Sequence, residues 1–186
     1  MSINYGWIQI RGRMIQMARN VGKQFEDMIR KSIPDYALLY RLPDPAQSFG
    51  KSSKTRFSLK PPFDFILWDS HKRNLFALEM KTVGGKSISF ERTKDDNGDI
   101  HFYQISGLSS WSKYDGITCG LVIEFRKIET TVFIDINDFK QLMDTIPKKS
   151  FSFHDLTEYN VPYTVISQTK ARTRYTYDID NFLKSR

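Results

Sequence analysis

Two β-rich runs, Phe63–Trp68 and Leu75–Lys81, flank the polar stretch Asp69-Ser70-His71-Lys72-Arg73-Asn74. Runs of this length on either side of one polar turn predict an antiparallel hairpin. A hairpin in turn dictates which side chains share a face. Side chains at i and i+2 of a strand point the same way, so Glu79 and Lys81 stand together while Met80 goes to the other side. Pairing of the two runs carries Asp64 towards Glu79 across 14 intervening residues. The chain must therefore accommodate two acids and a lysine on one side of a sheet.

Two converging carboxylates suit a divalent cation. Oxygen ligands favour Mg²⁺, with Mn²⁺ as a substitute, and the chain has no Cys or His cluster with zinc spacing. Such a cation polarises a phosphodiester and lowers the pKa of a bound water, which Lys81 can orient. The same residues also describe an edge-strand salt bridge, since short charged motifs arise by chance.

The rest of the chain predicts a mixed α/β or α+β domain. Val21, Phe25, Met28, Ile29 and Ile33 recur as one apolar helix face requires, and Pro34 stops it, which predicts a helix over 21–32. Tyr36–Leu42 reads as a strand. Ile100–Lys113 reads as a helix, and Leu121–Phe125 with Thr131–Ile136 as a second hairpin. Asn137 is the expected cap of a short helix over 138–143, and a last helix is expected over 178–183. The length, 186 residues, fits one domain, and 40% hydrophobic and 14% aromatic residues exclude a disordered chain.

Three segments flank or interrupt that core. Residues 1–20 contain no acid and carry Arg11, Arg13 and Arg19 among apolar residues at loosely helical spacing, the composition of a basic arm. That arm reads equally as a DNA contact and as a segment packing on a partner subunit. Residues 43–61 carry Lys51, Lys54, Arg56 and Lys60 between Pro43 and Pro61, a basic excursion in which the alternative is a solvated loop. Residues 147–186 form a C-terminal extension that either completes the core or extends a binding surface.

Charge narrows the partners. A net charge of +7 and a pI of about 9.4 attract polyanions, nucleic acid before any anionic membrane. Apolar runs are too short to span a bilayer. The opening Met-Ser-Ile-Asn-Tyr-Gly lacks the pattern of an export signal, and the lone Cys119, in an apolar context, reads as a buried thiol. A cytoplasmic location is expected. The absence of G-x-x-x-x-G-K-[ST] argues against a nucleotide cofactor. His71, His101 and His154 lack ligand spacing, Glu91, Asp95, Asp96 and Asp99 read as loop charges, and Trp68, Trp111 and Tyr114 as core aromatics more than base-stacking ones.

Asp64 followed by Glu79-x-Lys81, after a helix with an inward acid and before a second helix, resembles the PD-(D/E)xK nuclease superfamily. Gly22-Lys23-Gln24-Phe25-Glu26 is similar to the opening helix of RecU-type Holliday-junction resolvases. Ile88-Ser89-Phe90 and Ile100-His101-Phe102-Tyr103-Gln104 resemble that family's segment after the Glu-x-Lys strand. The resemblance covers residues 20–136, with Pro61-Pro62-Phe63 replacing a Ser/Thr-rich lead and Tyr103 replacing a histidine. It is compatible with a divergent, phage-encoded relative.

The resemblance implies a restriction-endonuclease-like core, a mixed sheet flanked by helices with a protruding basic stalk at residues 43–61. It also implies a Mg²⁺-dependent endonuclease that resolves four-way DNA junctions in recombination and repair. Asp64, Glu79 and the Met80 carbonyl would hold the metal, Lys81 would be the catalytic lysine, and Glu26 and Gln104 would face the site from the two helices. Arg11, Arg13, Arg19, Lys23, Lys51, Lys54, Arg56 and Lys60 are the expected DNA contacts. The expected assembly is a homodimer, because a two-fold junction is cut on two strands, with host recombination proteins as further partners. The alternatives are another nuclease of the superfamily, an exonuclease or restriction-type enzyme, and a non-catalytic basic DNA-binding scaffold.

Overall fold

The computed structural model describes residues 7–10 and 13–16 as backbone and residues 20–43, 60–172 and 174–186 in full. The N-terminal stretch is extended: β1 (Trp7–Ile10) and β2 (Arg13–Gln16) pair antiparallel, where the residue spacing suggested a helix. Helix α1 (Val21–Lys31) follows as expected. The Asn20 side chain accepts from the Lys23 amide at its start, and Phe25 and Ile29 bury one face.

Six strands form the central sheet, in the order β10-β8-β7-β5-β4-β3. They are β3 (Ala37–Arg41), β4 (Phe65–Asp69), β5 (Asn74–Val83), β7 (Ile117–Phe125), β8 (Thr130–Asp135) and β10 (Thr164–Ile166). Only β5 and β7 run parallel; every other neighbouring pair is antiparallel. The sheet is therefore mixed, and the parallel step requires a crossover, supplied by α2 (Phe102–Trp111). A two-stranded pair, β6 (Ile88–Ser89) with β9 (Ser150–Phe151), pins the segment between β5 and α2 to the C-terminal region.

The β4–β5 hairpin forms as the sequence predicts, in the register Phe65↔Leu78 to Asp69↔Asn74. Its turn is built by Asp69, whose buried carboxylate accepts from the amides of His71 and Lys72, while Arg73 takes a left-handed conformation at φ 53°.

Each sheet face has its own core. Ala77, Leu121, Ile123, Val132 and Ile134 pack with Ile105 and Leu108 of α2 and Phe139 and Leu142 of α3 (Ile136–Thr145). The opposite face, Leu39, Phe65, Phe76, Leu78, Met80 and Phe133, packs against Phe25 and Ile29 of α1 and Phe182 and Leu183 of α5 (Ile179–Lys184).

The expected ends shift by local chemistry. The cap of α3 is Asp135, which accepts from the Asn137 amide, so the helix starts before Asn137 rather than after it. Helix α2 is shorter than the predicted 100–113, because Ile100 is buried as an anchor and His101 holds the cap position. Residues 147–186 belong to the core: beyond α4 (Phe153–Glu158), β10 extends the sheet, and β11 (Gln168–Ala171) pairs with β12 (Arg174–Tyr177). Tyr177 meets Phe25 edge-on at 5.6 Å. Trp111 packs on Phe63, but Trp68 and Tyr114 are exposed and fill no core. Cys119 is buried, which pushes its thiol up to about 12. Among the described residues, no helix is long and apolar enough to cross a membrane.

Candidate active site

Strand β5 alternates between the two faces. Phe76, Leu78 and Met80 enter the α1 side, while Ala77, Glu79 and Lys81 face α2. Pairing with β4 ends at Leu78, and Asp64 stands one residue beyond, at the same level as Glu79. Its lead is held against α2 at two points. Phe63 meets the Trp111 ring at 5.0 Å, and a Cβ on Gly107 of α2 would lie 2.6 Å from both Cβ and O of Pro62. Helix and lead touch only because that residue is glycine.

Glu79 is fully buried. Its Oε1 accepts from Lys81 Nζ at 2.9 Å and from Gln104 Nε2 of α2. Its other oxygen, Oε2, is buried with no donor. Burial pushes the Glu79 carboxyl up to about 8; the Lys81 ammonium opposes that shift and the neighbouring Asp64 carboxylate adds to it. Two carboxylates this close to each other, one in a dry setting, can share either a proton or a cation.

A buried carboxyl that neighbours Asp64 and leaves Oε2 without a donor fits a divalent metal. Among the described residues no group of three or more His, Cys, Asp or Glu side chains is gathered as a cage. A Mg²⁺ ion is commonly held by one or two carboxylates plus water and substrate phosphates. Met80 buries its side chain on the opposite face, which leaves only its backbone to serve this side.

Gln104 is itself held: its Oε1 accepts from the His101 amide at 2.9 Å, which orients its amide nitrogen towards Glu79. The sequence placed Gln104 here only by resemblance. Glu26 is arranged otherwise. It lies on α1, the helix of the opposite face, where it ion-pairs with Arg41 at 3.3 Å. The structure brings Asp64, Glu79, Lys81 and Gln104 together, while Glu26 reaches the sheet through Arg41 of β3, whose register partner Phe65 adjoins Asp64.

Two acids read as loop charges have definite tasks. Glu91 is buried; its Oε2 accepts from the Phe102 amide at the start of α2 and its Oε1 meets His101 Nδ1 at 2.7 Å. Burial pushes the Glu91 carboxyl up, but these two partners outweigh it and hold it below the usual range. Asp99 is lowered chiefly by its hydrogen bonds from Ser89, and it also feels the charges of Lys81 and His101. Glu91 reaches the start of α2 from eleven residues upstream in the chain, so no local signal in the sequence marked it.

Of the expected DNA contacts, Lys60 holds its ammonium 5.2 Å from the Tyr103 ring centroid, on the α2 side. Lys23 is exposed on α1. Arg13 lies in β2, known as backbone; Arg11, Arg19, Lys51, Lys54 and Arg56, with most of the 43–61 excursion, lie outside the described residues. That excursion leaves after β3 and returns just before Asp64, so both of its ends flank the acid cluster. No protein-family model matches the chain, and no curated protein matches it either.

Proposed function

We propose that the protein is a Mg²⁺-dependent DNA endonuclease of the PD-(D/E)xK kind, acting on four-way junctions. The observation that carries the reading is the convergence of Asp64, Lys81 and Gln104 on a buried Glu79 whose Oε2 has no donor. A salt bridge built for stability alone would gain nothing from an orphaned oxygen beside a second carboxylate. The mixed sheet flanked by helices is compatible with a restriction-endonuclease-like core.

Asp64 and Glu79, with the Met80 carbonyl, would hold the metal. When bound, it supplies charge for the scissile phosphate and a more acidic water. Gln104 fixes the Glu79 carboxylate, so the ligand does not reorganise during turnover. Lys81, partly exposed beside Glu79, orients the attacking water and balances charge on the phosphate. The net positive charge, with the ends of the basic excursion at the site, supports a polyanionic substrate held through its backbone. A homodimer would present two such sites to the two strands of a junction.

The deciding experiment incubates a synthetic four-way junction and a matched linear duplex with Mg²⁺, Ca²⁺ or EDTA and resolves products on a denaturing gel. Paired nicks in the junction with Mg²⁺ alone are expected. Degradation of both substrates would reassign the chain to a general nuclease, and binding without cleavage to a DNA-binding scaffold.

A further inference from the structure

Beside the acid cluster stands a histidine that metal binding does not use. His101 caps α2 three residues before Gln104, and its own amide donates to the Gln104 carbonyl that orients the bond to Glu79. The His101 backbone is thus two hydrogen bonds from Glu79, while its imidazole turns to a partner of its own. Its Nδ1 meets Glu91 Oε1 at 2.7 Å, and Glu91 cannot swing away because its second oxygen accepts from the Phe102 amide. The ring is also stacked near-parallel with Tyr103, centroids 5.5 Å apart at 14°.

A buried carboxylate that is anchored at one oxygen and bonded to an imidazole at the other is an orienting group. It keeps a proton on Nδ1 and leaves Nε2 as the exchangeable position. A helix cap needs none of this, since Glu91 already satisfies the Phe102 amide unaided. The imidazole remains 43% exposed, open to a ligand. Asp99, bonded to Ser89, also feels the charges of both His101 and Lys81. Lys60 beyond Tyr103 completes a positive border on that side.

We propose that His101 is the proton donor to the leaving oxygen of the cleaved phosphodiester, with Glu91 as its positioning residue; this rests on the nuclease reading above. Water oxygen forms the new P–O bond and its proton passes to solvent. The bond from phosphorus to the leaving oxygen breaks, and the electron pair left on that oxygen takes the proton from His101 Nε2. Imidazole then regains a proton from solvent, while Glu91 stays ionised throughout.

The test compares two junction substrates, one all-oxygen and one whose bridging leaving oxygen is sulfur, with wild type, His101→Asn and Glu91→Gln. A thiolate leaves without a proton, so only a proton donor becomes dispensable on the sulfur substrate. His101→Asn is expected to slow cleavage of the oxygen substrate by roughly 10²–10⁴-fold and to cut the sulfur substrate within about three-fold of wild type. Glu91→Gln should show the same pattern with a smaller loss, as a group acting through another does. Equal loss on both substrates would make His101 a phosphate contact or a structural group, and unchanged rates would remove it from the reaction; either overturns the proposal. Wild type cutting neither substrate would instead overturn the nuclease reading itself.

Discussion

The two faces of β5 do opposite things with the same backbone. On the α1 side, Phe76, Leu78 and Met80 sit in a dry layer with Phe25, Phe133 and Phe182, and what they lose on substitution is packing. On the α2 side, Glu79 and Lys81 interrupt an otherwise apolar row, and burial opposes the charged form of Glu79. One face shows what the fold requires; the other shows a cost in stability that packing does not explain. Such violations of good core design mark functional positions more often than accidents.

The sharpest way to break that contrast is to alter neighbours on one strand. Glu79→Gln and Asp64→Asn should lower Mg²⁺-dependent cleavage by roughly 10²–10⁴-fold while DNA affinity persists. Met80→Ala keeps its carbonyl but leaves a cavity; it should cost about 2–5 kcal/mol in urea unfolding, with cleavage per folded molecule retained. If Glu79→Gln cut DNA normally, the site would be misassigned.

Glu79 also distinguishes the faces by pH. Its carboxyl keeps a proton up to about 8 in the folded chain, whereas the ordinary glutamate value of 4.5 applies once unfolded. Between these values the folded state binds more protons, so raising the pH through this window destabilises the metal-free protein. Carboxyls held low, such as Glu91, Asp99 and Asp155, act below the window and in the opposite sense. Metal-free wild type should melt lower at pH 8 than at pH 5, and Glu79→Gln should flatten that difference. Added Mg²⁺ should raise the melting temperature more at pH 8 than at pH 6, because it then displaces less proton.

A smaller effect tests how the α2 face is built. Gly107→Ala forces α2 off the Pro62 lead, where the new Cβ would meet backbone oxygen at 2.6 Å. Overpacking of this kind costs about 1–3 kcal/mol. Because Gln104 and Asp64 lie on the two parts driven apart, cleavage should fall by roughly 10²-fold even where the protein remains folded.

What the sequence disclosed follows the reach of its signals. The hairpin and α1 were legible because a polar turn and an i, i+4 apolar pattern are local, and strand alternation sufficed to put Glu79, Lys81 and Asp64 together. The tail was not legible: β10 is three residues long, β11 is Gln-Thr-Lys-Ala, and their places come from pairing with β8 and β12. Glu91 looked like any loop acid because its meaning depends on the Phe102 amide and His101 ring, which only tertiary structure brings to it. Glu26 was placed in the sequence by its motif alone, and its pairing with Arg41 of β3 likewise depends on how α1 packs on the sheet.

The weakest expected effect asks which face meets the polyanion. Lys60 sits over Tyr103 beside the acid cluster, whereas Lys23 is exposed on α1, behind the sheet. Each phosphate contact that is lost lowers the slope of log affinity against log salt by about one. Lys60→Ala should therefore reduce that slope by about one in a junction-binding titration run in Ca²⁺. Lys23→Ala should reduce it less, because a duplex lying along the α2 face is screened from that side by the sheet. Equal changes for the two lysines would mean that DNA wraps past the α1 helix, and Glu26 with Arg41 would then lie along its path.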